Sequence, residues 1–152
     1  TGTVPPGSVT NASVSTTANI NGNKLQHRIH KDMRICTGTA VTAKTENVYV
    51  AYTSAELLEV TAALSVAPTD TFEIQVEVKK STAGGAFASV LSAGMELNAA
   101  TISNRDILSA SLSGTPTFIT DDILQIIVTV SGTTGVQGQD LIVSAVIAED
   151  GV

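Results

Sequence analysis

Residues 70–80 read Asp-Thr-Phe-Glu-Ile-Gln-Val-Glu-Val-Lys-Lys. Phe72, Ile74, Val76 and Val78 fall on one side of an extended chain, and Glu73, Gln75, Glu77 and Lys79 fall on the other. Side chains alternate across a strand, so this pattern predicts a strand with one dry face and one wet face. Helical winding would gather Phe72, Val76 and Lys79 and break the pattern. A strand that is apolar on one face needs neighbours beside it and a second layer to cover it.

The remaining chain supplies them. Further candidate strands fall at 35–42, 48–52, 56–66, 86–91, 106–112, 123–130 and 140–148. In the third candidate, Leu58, Val60, Ala62 and Leu64 share a face. The run Ile123-Leu124-Gln125-Ile126-Ile127-Val128 is apolar on both sides, which places it centrally in its sheet. Pro68 lies in a turn, where a ladder has to stop, and Gly84-Gly85 suits a hairpin connection. Residues 131–139 form a Gly-rich loop, and residues 92–104 give no clear pattern. About eight strands at short spacing, with no convincing helix, predict an all-β antiparallel β-sandwich, most simply a jelly roll. An immunoglobulin-like sandwich competes, although the Trp and the Cys pair of many such domains are missing.

Length and composition agree with one domain. Of 152 residues 43% are apolar, which is enough for a core, yet aromatics make up 3% and Trp is absent. The core must therefore be aliphatic. No apolar run approaches the roughly 20 residues of a membrane-spanning helix, so no membrane partner is expected. The first 20 residues lack the basic start and apolar block of a signal peptide. Cys36 is the one cysteine, which excludes an intrachain disulfide. It reads as a small apolar residue at a strand start.

The net charge of −6 is unevenly divided. Residues 1–34 carry Lys24, Arg28, Lys31 and Arg34 against Asp32, four bases against one acid, net +3. Residues 35–152 carry four bases against thirteen acids, net −9. Residues 1–23 are rich in Ser, Thr, Asn and Gly, with Val9, Val14 and Ile20 five or six apart. That spacing fits neither strand nor helix, and such a segment cannot bury enough surface to fold alone. Leu25, Ile29 and Met33 fit a helical stripe or an alternating strand, with extended structure slightly favoured. These features predict an extended N-terminal arm over 1–34 and a sandwich domain over 35–152. An arm of that length could span roughly 110 Å at about 3.3 Å per residue. Removing it is expected to leave a folded body.

Catalytic and metal chemistry find little support. His27 and His30 are flanked by Arg28 and Lys31, and positive neighbours oppose a cation. Asp121-Asp122 suits an acidic turn that hydrogen-bonds its own backbone better than a calcium site, which needs six to eight oxygens. Glu73 and Glu77 share a wet face, with Glu59 expected nearby. Paired carboxylates can hydrolyse glycosides, but no aromatic platform accompanies them. Gly-x-Ser-x-Gly is absent. Asn11-Ala12-Ser13 matches a glycosylation sequon. The acidic body argues against a nucleic-acid partner. No enzyme activity, cofactor or metal is expected.

Residues 8–28 have a Thr-Asn-Ala opening (Thr10, Asn11, Ala12), an Ala-x-Ile centre (Ala18, Ile20) and a Lys-Leu…His-Arg close (Lys24, Leu25, His27, Arg28). This pattern resembles a segment of tailed-bacteriophage virion structural proteins, specifically capsid decoration (cement) proteins. The resemblance covers about 20 residues closely and the rest as a loose pattern. It implies an arm laid on the major capsid protein, a β-sandwich body projecting from the outer capsid surface, and clustering as a homotrimer. Val9, Val14, Ile20, Lys24, Leu25, His27, Arg28 and Ile29 would then touch the capsid. A phage tail, baseplate or head-fibre component is the alternative within the virion. A carbohydrate-binding module is a further one, weakened by having Tyr49 and Tyr52 as its only tyrosines.

Overall fold

Alternation of apolar and polar residues along 73–81 produces a strand whose buried residues are Ile74, Val76 and Val78, as the sequence predicts. The structure, a computed structural model, describes residues 27–149, with the backbone alone for Cys36 and Thr37. The expected reading of the Cys36 side chain therefore lies outside the description. Among the described residues there are ten strands and no helix. They are β1 (His27–Ala40), β2 (Lys44–Val50), β3 (Ala55–Ala63), β4 (Glu73–Ser81), β5 (Phe87–Ser89), β6 (Met95–Leu97), β7 (Ile107–Ser109), β8 (Thr117–Phe118), β9 (Ile123–Ser131) and β10 (Gln139–Glu149).

All pairings are antiparallel and form two sheets. The first sheet runs β1-β10-β3, with β7 and β8 both on the far edge of β3. The second runs β2-β9-β4, with β5 and β6 both on the far edge of β4. β5 and β6 are thus two pieces of one interrupted edge strand, and β7 and β8 two pieces of another. With each pair counted as one, eight strands remain. First pairs with last and second with last but one, which is the order of a jelly roll and not of an immunoglobulin sandwich. The interruptions stitch the sheets together: Ser92 N donates to Ser111 O and Ser113 N to Val90 O, both at 2.9 Å.

Between the sheets lies an aliphatic core that includes Leu57, Val60, Ile74, Val76, Leu97, Leu124, Ile126, Leu141, Val143 and Ile147. β9 sits between β2 and β4, as its doubly apolar sequence predicts.

Three expectations need correction. The first concerns the boundary at residue 34. β1 begins at His27 and pairs residue by residue with β10 from His27↔Glu149 to Ile35↔Leu141. Residues 27–34, expected in the arm, are therefore sandwich. Met33 is 1% exposed and belongs to the core. The extended reading of this stretch holds, because spacing four is also an even number and keeps Ile29 and Met33 on one strand face. The second concerns β3. Val146 faces Glu59 but Ile147 faces Leu57, so Leu58 is an extra residue in a β-bulge. The bulge reverses the alternation, burying Leu57 in place of Leu58. The third concerns the strand expected over 48–52, which instead runs from Lys44 to Val50 and so takes in the polar residues 44–47. The remaining arm, residues 1–26, lies outside the described residues.

Candidate interaction surface

His27 and Arg28, at the start of β1, are exposed. Ile29 points between the sheets, paired with the core residue Ile147 and packed against the core. Val9, Val14, Ile20, Lys24 and Leu25 lie outside the described residues. Of the eight residues expected at a partner, the structure thus places three, two of them on the surface. His27 and His30 are three apart on a strand, which puts them on opposite faces and prevents joint ligation of one ion. Among the described residues no group of three or more His, Cys, Asp or Glu is arranged to hold a metal.

The end of the sandwich where β1 begins also carries exposed apolar side chains that sequence periodicity did not reveal. Tyr52 is 83% exposed in the β2–β3 loop and Ile119 57% exposed in the β8–β9 loop. The two loops lie side by side: Ala51 N donates to Asp122 O at 2.9 Å, and Asp121 N donates to Ala51 O at 2.8 Å. A groove of about 400 Å³ opens between the edges of β1 and β2, lined by Ile29, Lys31, Val48, Tyr49, Tyr52 and Glu149 among others. Its walls offer apolar contact and one charge of each sign.

Beneath these loops sits a polar cluster in an apolar setting. Asp122 is fully buried, and its Oδ2 accepts from Lys80 Nζ at 2.7 Å and Ile119 N at 3.0 Å. Lys80 Nζ also donates to Thr117 O at 2.6 Å and lies 5.3 Å from the Phe118 ring centroid. The Tyr49 ring meets Phe118 edge-on at 5.8 Å, and its hydroxyl donates to Glu149 Oε1 at 2.9 Å. Burial alone would raise the Asp122 pKa, but Lys80 and the Ile119 N–H outweigh it and hold the carboxyl below its usual range. Burial and the Glu149 acceptor push the Tyr49 hydroxyl above its usual value. The expected turn-bonding role of the Asp121-Asp122 pair holds for Asp122. Asp121 is exposed and, at φ 71°, takes the left-handed backbone position of the turn.

The carboxylates considered together for glycoside chemistry are divided by the fold. Glu73 and Glu77 lie on the outer face of the second sheet, while Glu59 lies on β3 in the first. Glu77 accepts from Ser89 Oγ at 2.5 Å, and Glu73 accepts from Gln75 and Asn98. These are solvated strand-face residues with local partners.

The strand order defines a jelly-roll β-sandwich. No protein-family model matches the chain, and no curated protein matches it. It is similar in shape to a chain in the structure of infectious bursal disease virus Gx strain, with 13% identity and a TM-score of 0.45 over 83% of this chain. This chain spans about a third (33%) of that one. A chain of turnip yellow mosaic virus matches over 83% of this chain and 94% of its own length, with 13% identity and a TM-score of 0.35. At these scores the likeness is loose, and the jelly-roll assignment rests on strand order alone.

Proposed function

We propose that the protein is a virion structural component of a tailed bacteriophage that binds the outside of the capsid and stabilises it, without enzymatic activity. In this reading its N-terminal arm lies on the major capsid protein, and three bodies cluster as a homotrimer. The observation that carries the reading is the place where the leader joins the body. The Lys-Leu…His-Arg segment runs into β1 at the one end of the sandwich that exposes Tyr52 and Ile119. The leader and this apolar end would therefore meet the same surface. Residues 1–26 could span at most roughly 85 Å at about 3.3 Å per residue, more than a domain's width. Ordering them costs about 1–2 kcal/mol each in backbone entropy. Attachment through several linked copies offsets that cost.

The test is a deletion, and the structure moves its end point. Removing residues 1–34 would strip β10 of its β1 partner on one edge and take Met33 from the core, so lost binding would be ambiguous. Removing residues 1–26 leaves β1 intact. The shortened protein is expected to keep its unfolding transition and to stop co-sedimenting with capsid shells of the encoding virus prepared without this protein. Undiminished co-sedimentation would remove the arm from the proposal.

A further inference from the structure

The registers of β1, β10 and β3 arrange the outer face of the first sheet into rungs. Taken from β1 through β10 to β3, they are Arg34–Ile142–Ala63, Asp32–Ser144–Thr61, His30–Val146–Glu59 and Arg28–Ala148–Glu56. This is the outward face, because the intervening residues Leu141, Val143, Ala145 and Ile147 are in the core. Ile107 extends the Ile142–Ala63 rung and is 65% exposed. Asp32 is already bound, to Arg34 at 3.0 Å and to Ser144. Arg28, Glu56 and Glu59 have no ion-pair partner among the described residues. The face therefore has a positive margin along β1, an uncharged centre along β10 and a negative margin along β3.

We infer that this face pairs with the same face of a second copy about a two-fold axis running along β10. Such an axis exchanges left and right while leaving height unchanged. Arg28 then lies over Glu56 of the partner subunit, and Glu56 under the partner's Arg28. Val146 meets its own counterpart on the axis, as in any isologous contact. The alternative in-plane axis, at right angles to the strands, would stack β1 on β1 and oppose Arg28 with the Asp32–Arg34 end of its partner. It leaves Glu56 and Glu59 unmatched. Two sheets packed with near-parallel strands at about 10 Å are the aligned arrangement of natural sandwiches. The chosen axis also puts both copies' His27 at the same end, so two leaders leave toward one surface.

The face is small. Four strands at about 4.8 Å and seven residues at about 3.3 Å give roughly 450 Å² per copy. That is at the low end for specific pairing, so a weak, salt-sensitive dimer is expected. The pairing takes Arg28 for the partner subunit and not for the capsid, and its two-fold contact is distinct from threefold clustering; capsid attachment through residues 1–26 is tested by the deletion, so either can fail alone.

Sedimentation velocity on the full chain across the micromolar to millimolar range tests it. A species of twice the monomer mass is expected in low salt, and a species of three times that mass with no dimer would overturn the two-fold contact. Arg28→Glu or Glu56→Arg should each weaken the pairing about tenfold or more, because like charges then face each other. The combined Arg28→Glu/Glu56→Arg variant should restore it. Val146→Asp, which acts twice at the axis, should abolish it with the far-UV circular dichroism unchanged. A protein that stays monomeric throughout, with this face solvated or covered by its own leader, would overturn the inference. So would association that ignores the charge swaps.

Discussion

At the end where β1 begins, the loops are held by a buried charge pair and aromatic contacts. At the end where β1 finishes, they are held by hydrogen bonds spread over many residues, with no ion pair among those described. There the Gly-rich loop 131–138 is zipped to the 67–71 turn. Thr71 Oγ1 accepts from Thr133 N and Thr134 N at 3.1 and 3.0 Å, Val136 N donates to Thr69 Oγ1 at 2.8 Å, and Val41 N donates to Gly138 O at 3.0 Å. Asp140 and Asn104 tie further loops to the same end. The first end depends on one partnership, Lys80 with Asp122, and exposes Tyr52 and Ile119 beside it. Many weak bonds tolerate the loss of one. A single buried ion pair does not, because its surviving partner is left uncompensated. The concentrated end is also the end proposed to face a partner.

The contrast is broken most strongly by Asp122→Ala, which strands Lys80 and the Ile119 N–H. It is expected to cost about 3–5 kcal/mol in urea unfolding, the range for breaking a buried pair. At the other end the most damaging single change should be Gly132→Ala. Gly132 has φ +103°, and a Cβ there would lie 2.3 Å from the Thr71 carbonyl oxygen. Backbone strain of that kind costs about 1–3 kcal/mol. Thr71→Val, which removes a hydroxyl serving several exposed bonds, should cost about 1 kcal/mol because water replaces much of what is lost. Equal losses for Asp122→Ala and Thr71→Val would erase the distinction between the ends.

Acid sharpens it further. Asp122 and Asp32 both have folded pKa values below the usual carboxylate value. Hydrogen bonds from Ser144 and then Arg34 account for Asp32. A depressed folded pKa stabilises the fold above the unfolded value of about 3.9 and loses that contribution as pH falls through the folded value. Stability should therefore hold from neutral pH down to about pH 4 and fall below it. Asp122→Asn should make that acid limb shallower, whereas Thr71→Val should leave its slope unchanged.

Much of the sandwich was legible because alternation is a local property. Ile74, Val76 and Val78 announce a half-buried strand, and the doubly apolar run at 123–128 announces a central one. The candidate surface was less legible. Lys31 occupies an inward-facing position of β1 between Ile29 and Met33, so the stripe that would have marked residues 27–34 as sandwich is interrupted. Tyr52 and Ile119 lie in loops, where no periodicity tells an exposed apolar side chain from a buried one. Glu59 and Glu73 look alike in sequence, yet they stand on opposite outer faces because β3 and β4 belong to different sheets.

The sequence by itself determined that the chain is all-β, that its core is aliphatic, and that its positive charge is concentrated near the start. Each follows from residue type and spacing, which act over a few neighbours. Tertiary structure decided which strand lies beside which, where bulges reverse a face, that Asp122 is buried on Lys80 across the 41 residues between them, and that Arg28 and Glu56 share a rung. Those outcomes depend on pairings between distant segments, and the free energy that selects them comes from closing one core on all of them at once.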